Sequence, residues 1–115
     1  MREPKLHLKD ILGAMEAIEQ FVKNMDFEAF KNNDLVSSAV IRKFEIIGEA
    51  AKNVQKDITQ KHPEIPWRKM AGMRDRLIHF YFGVKYELVW QTIKKDVPHL
   101  KPLIREILEG LEGDE

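Results

Sequence analysis

From Leu8 onward, apolar residues recur at three- and four-residue steps: Ile11, Leu12, Met15, Ile18 and Val22. That spacing lines one face of an α-helix, and the pattern fades near Asn24. Asp26 is placed to cap a short piece from Phe27 to Phe30, and Asn32-Asn33-Asp34 forms a turn that also supplies an N-cap for the next helix. A second long stripe follows in Val36, Val40, Phe44, Ile47, Ala51, Val54 and Ile58. Gly48, Ala50 and Ala51 allow another helix to come close, and Arg42, Glu45, Glu49 and Asn53 fall on the opposite side. The segment His62-Pro63-Glu64-Ile65-Pro66 ends this helix, because proline has no N–H and restricts the residue before it. Pro66-Trp67 opens a third helix to about Phe82, with Gly83 as its breaker. The last segment, from Tyr86 through Trp90, Ile93, Val97, Leu100 and Ile104 to Leu111, is interrupted by Pro98. It reads as two helices or one kinked helix, with Asp96 as a candidate internal cap and a frayed end from Gly110. No repeat, low-complexity stretch or convincing strand stands out. The pattern predicts an all-α fold, a four- to five-helix antiparallel bundle with short connections.

Composition narrows the chemistry. A chain of 115 residues fits one domain spanning 1–115. Cysteine is absent, which excludes thiol redox chemistry and a Cys-based zinc site. Lys+Arg and Asp+Glu both count 19, so there is no basic excess of the kind that coats nucleic acid non-specifically. RNA contact then requires a local cluster or a surface built by two chains. The first residues, Met-Arg-Glu-Pro-Lys, precede no apolar signal core, and no apolar run reaches the roughly 18 residues of a membrane span. A cytoplasmic setting without membrane contact is expected.

The third helix carries an anomaly. At about 100° per residue, Trp67, Ala71, Arg74, Ile78 and Tyr81 share a narrow arc that Met70 and Leu77 widen into an apolar face. Arg74 sits in its middle. A guanidinium stays charged and resists burial unless it is paired. Two readings remain open: either Arg74 snorkels to the bundle edge or pairs with an acidic side chain such as Glu45 or Glu49, or the face borders a cleft or an interface where Arg74 is held for a phosphate. On a continuous helix His79 projects about 140° from Arg74. The two converge only if the helix unwinds before Gly83 or two subunits bring their copies together. Asp75, four residues before His79, is spaced to hydrogen-bond its imidazole. Tyr81, between Phe80 and Phe82, reads by default as a core or interface aromatic.

The segment Met73-Arg74-Asp75-Arg76-Leu77-Ile78-His79-Phe80-Tyr81-Phe82-Gly83 resembles the Arg-x4-His-x-Tyr motif of the HEPN superfamily, in its HepT-like branch. Arg42-Lys43-Phe44-Glu45-Ile46-Ile47-Gly48-Glu49-Ala50 resembles that branch's second-helix signature. Pro63 to Trp67, Val89-Trp90 and Asp96-Val97-Pro98 are similar to its flanking blocks. The likeness runs from about Leu8 to Leu108. It implies a homodimeric helical bundle with both motifs lining a shared cleft. It also implies a metal-independent endoribonuclease without cofactor, acting as the toxin of a type VII toxin–antitoxin pair. The implied partner is a cognate minimal nucleotidyltransferase that silences the toxin by AMPylation of the motif tyrosine. Carried over by position, Arg74 and His79 form the catalytic pair and Tyr81 is the modified residue, and Asp75 matches the polar residue that follows the motif Arg. On their own pattern, Glu45 and Glu49 are solvated or are polar neighbours that steady Arg74 or Arg42.

Those side chains suit the reaction. RNA is cut without metal when its 2′-hydroxyl attacks the adjacent phosphate, which needs proton transfer near neutral pH and a fixed cation against the developing charge. An imidazole and a guanidinium supply these. A non-catalytic HEPN module that binds a nucleotidyltransferase and nucleotide or RNA is the alternative, since fold does not guarantee activity. A metal-carboxylate bundle is disfavoured: Glu45 and Glu49 are one turn apart, but the Glu-x-x-His pairs are missing. The pattern assigns no role to His7, His62 or His99.

Overall fold

The computed structural model describes residues 4–79 and 83–113; of His79 the backbone lies within these residues and the side chain outside them. Helix α1 spans Pro4–Phe21 and starts a turn earlier than its apolar stripe. Asp26 caps α2 (Phe27–Lys31), its carboxylate accepting the Ala29 N–H at 2.8 Å. Asn33 caps α3 (Asp34–Lys52), accepting the Val36 N–H at 3.0 Å. Both caps sit where the sequence puts them, satisfying N–H groups that a first turn leaves unpaired.

The second stripe is continuous in sequence but not in backbone. Helix α3 ends at Lys52, and Ile58 belongs to the separate short α4 (Lys56–Lys61), still buried. The third helix departs further from expectation. It is split into α5 (Trp67–Ala71) and α6 (Met73–Leu77) around Gly72, and Ile78 adopts extended backbone at φ −121° and ψ 125°. Two short strands follow, β1 (Ile78–His79) and β2 (Gly83–Val84). They pair antiparallel with Ile78 opposite Val84 and His79 opposite Gly83. Gly83 has φ +83°, a conformation that glycine adopts without steric cost.

The closing segment is one run of helix with an internal π turn: α7 (Tyr86–Gln91), a π segment (Thr92–Asp96) and α8 (Val97–Gly113). The Val97 N–H reaches back five residues to the Thr92 carbonyl. This widened turn accommodates Pro98, which has no N–H to donate and whose ring would crowd a regular turn. Asp96 therefore does not cap a new helix; its carboxylate accepts from Arg76. The helix also runs past Gly110 to Gly113.

The core joins Leu8, Ile11, Met15 and Ile18 of α1 to Val40, Phe44 and Ile47 of α3, and to Leu100 and Ile104 of α8. Met70 and Leu77 anchor α5 and α6 in it. Helices α1 and α8 run antiparallel, as the order of their ion pairs shows: Lys9 with Glu112, Glu16 with Arg105, Glu19 with Lys101. The Lys9–Glu112 and Glu16–Arg105 pairs are exposed, and pairs of that kind stabilise little. Phe30 packs against Trp90 and the edge of Tyr86, joining α2 to α7. Among the described residues the result is an all-α bundle with one two-residue β ladder. Among the described residues no helix is long and apolar enough to cross a membrane.

Candidate functional site

Gly48 sets the geometry of the site. A β-carbon there would stand 3.1 Å from the Ala71 carbonyl oxygen and 3.3 Å from that of Met70. The bare backbone thus lets α5 lie against α3, and α6 continues from it. A groove of about 900 Å³ opens where α1, α3 and α6 meet.

Arg74 stands on the rim of this groove, and its side chain is 47% exposed. The expectation that it sits amid an apolar face is corrected by the break at Gly72 and the end of α6 at Leu77, which leave too little helix for that arc to form. Its Nε donates to Glu45 Oε2 at 3.0 Å, and its Nη1 lies 3.6 Å from Asp75 Oδ1. Arg74 thus pairs with Glu45 and borders a cleft.

Arg42, Glu45, Glu49, Arg74 and Asp75, five residues singled out from sequence, line this one groove. Glu45 is half-buried, whereas Asp75 is 86% exposed. The i, i+4 spacing expected to bring Asp75 beside the His79 ring belongs to a continuous helix, and the chain leaves the helix at Ile78. That departure is the unwinding before Gly83 that frees His79 from a fixed 140° divergence. The His79 side chain and all of Tyr81 lie outside the described residues.

Sequence reasoning missed the contribution of α1. His7 and Asp10 both line the groove. Their signal was faint: three residues apart, they share a helix edge flanking the apolar stripe. The lining is electrostatically mixed, with Asp10, Glu45, Glu49 and Asp75 facing the cations Arg42, Lys52 and Arg74. Among the described residues no group of three or more His, Asp or Glu could hold a metal ion.

This bundle is of the HEPN type. Within that type the chain belongs to the ribonuclease HepT-like family, whose model matches residues 11–107. It is 52% identical over 100 residues to a protein of Thermococcus cleftensis named as a probable ribonuclease HepT, covering 87% of this chain and 91% of that one. Two proteins of Methanocaldococcus jannaschii named as candidate RNases are 50% and 48% identical. The first match covers 96% of each chain, and the second 97% of this chain and 93% of the relative. No solved structure matches the chain.

Proposed function

We propose that this protein is a metal-independent endoribonuclease in which Arg74 and His79 act on one phosphodiester. A ribonuclease of the HEPN type is the coarser statement, and family membership supports it. The observation that carries the finer reading is Arg74 on the rim of a large polar groove, oriented through Nε by Glu45. A guanidinium held in this way can offer its remaining N–H groups to a phosphate. The change from helix to strand at Ile78, between Arg74 and His79, adds support.

The reaction balances without water in the cleavage step. A base removes the 2′-hydroxyl proton, the oxygen attacks phosphorus, and the P–O5′ bond breaks as an acid protonates the departing oxygen. The products are a 2′,3′-cyclic phosphate and a 5′-hydroxyl. His79 serves in proton transfer, and Arg74 stabilises the charge on the phosphoryl oxygens. Two copies of the chain form the cleft. The protein acts as the toxin of a type VII toxin–antitoxin pair, and a cognate minimal nucleotidyltransferase silences it by AMPylation of Tyr81. An added phosphodiester two residues past His79 competes with substrate for Arg74.

Incubation with RNA tests this reading. Cleavage that persists in a chelator and disappears in Arg74→Ala and His79→Ala is the expected result. Co-expression with the transferase should add AMP mass to the wild type and none to Tyr81→Phe. One observation favours the second reading, a non-catalytic module that binds the transferase and nucleotide or RNA: Glu45 already neutralises Arg74. RNA binding without cleavage under the same conditions would decide for it.

A further inference from the structure

A second concavity lies on the other side of α6. Positions 74 and 76 are about 200° apart on a helix, so Arg76 points away from the Arg74 groove. It lines a notch of about 200 Å³ together with Lys69, Asp96 and His99, over a floor that includes Met70 and Met73. At roughly 30 Å³ per water, the notch has room for a small polyatomic ion and some of its hydration.

Three features of the notch converge. Arg76 is pinned at one edge, where Nη2 donates to Asp96 Oδ2 at a long 3.5 Å. Its side chain is 38% exposed, and its Nε is buried without a hydrogen-bond partner among the described residues. The charge balance is favourable to anions: Lys69 and Arg76 face one carboxylate, and His99 adds an imidazole donor. The Arg74 groove, by contrast, holds more carboxylates than arginines and lysines. Finally, Asp96 closes the π segment and His99 follows three residues later. The i→i+5 turn, a feature frequent at functional sites, thus sets where these two residues meet α6.

We propose that this notch binds a phosphate group, with the Arg76 guanidinium as its central donor and Lys69 and His99 at its sides. Asp96 is the positioning residue that holds the guanidinium. The phosphate is carried either by an RNA strand extending from the Arg74 groove or by a small phosphorylated molecule. The site stands independently of cleavage.

The test is a titration of inorganic phosphate into the full-length isotope-labelled protein, following the Arg76 Nε–H and His99 ring resonances by NMR. Saturable shifts of both are expected; the His99 shift should be lost in Arg76→Gln, and both shifts weakened several-fold in Lys69→Gln and retained in Arg74→Ala. An uncleavable 2′-methoxy RNA oligonucleotide is the second arm. If it moves the same resonances, the phosphate is that of RNA; if only inorganic phosphate moves them, the ligand is small. Resonances that stay still with phosphate at tens of millimolar, or a His99 shift that survives both Arg76→Gln and Lys69→Gln, would overturn the proposal and leave the notch to water.

Discussion

Arg74 and Glu45 meet through a single 3.0 Å contact between half-exposed side chains, so the pair contributes little to folding. Its effect falls on function. Arg74→Lys keeps the charge but loses the planar fork that matches a phosphate. RNA cleavage is expected to fall about 10²-fold, the scale of losing one transition-state donor, while the urea midpoint moves by less than about 0.5 kcal/mol equivalent. Glu45→Gln retains an acceptor for Nε but removes a carboxylate that competes with substrate. RNA should then bind a few-fold more tightly at low salt, on the scale of the ~0.2–1 kcal/mol of an exposed ion pair, and fluorescence anisotropy at rising salt should show the gain shrinking. Unchanged affinity at low salt would mean that Glu45 does not restrain Arg74. The pairing of Arg74 with Glu45 was legible in sequence because an arginine placed among apolar neighbours on a helical wheel calls for a partner, whereas the part His7 and Asp10 play in the groove was not. Nor was the geometry of the site, because a helical wheel assumes a helix that here stops at Leu77.

At the scale of elements, the caps of α2 and α3 were readable because an Asp or Asn acceptor serves an N–H at a fixed offset. Asp26→Ala and Asn33→Ala should each lower stability by about 1 kcal/mol, measurable as shifts in the urea midpoint. The break at Gly72 and the two-residue strands escaped sequence reading for physical reasons. A single glycine within a helix costs only about 1 kcal/mol, and strands of two residues have no periodicity to detect. Pro98 correctly signalled an interruption, but the chain absorbs it as a π turn and keeps the helix running. Gly48 is the hinge between packing and site. Gly48→Val should destabilise by about 1–3 kcal/mol, because its side chain meets two backbone oxygens that cannot yield cheaply. Gly48→Ala should cost less, since alanine recovers about 1 kcal/mol of helix preference. Displacing α5 carries α6 with it, so cleavage should fall in parallel with stability in this pair.

At the scale of the whole molecule, equal numbers of acidic and basic residues leave no global attraction for RNA, and the groove lining is itself mixed in charge. Affinity must then come from local clusters and from the two-chain cleft of the proposed dimer. Sedimentation equilibrium should report twice the chain mass at assay concentrations, and a monomer retaining full activity would remove the shared cleft from the account. The most direct measurement is the chemical identity of the RNA ends, determined by mass spectrometry after digestion in the presence of a chelator. Fragments ending in 2′,3′-cyclic phosphate and beginning with 5′-hydroxyl, absent from the Arg74→Ala and His79→Ala digests, are predicted. Fragments with 3′-hydroxyl and 5′-phosphate ends, or cleavage that survives both substitutions, would contradict it.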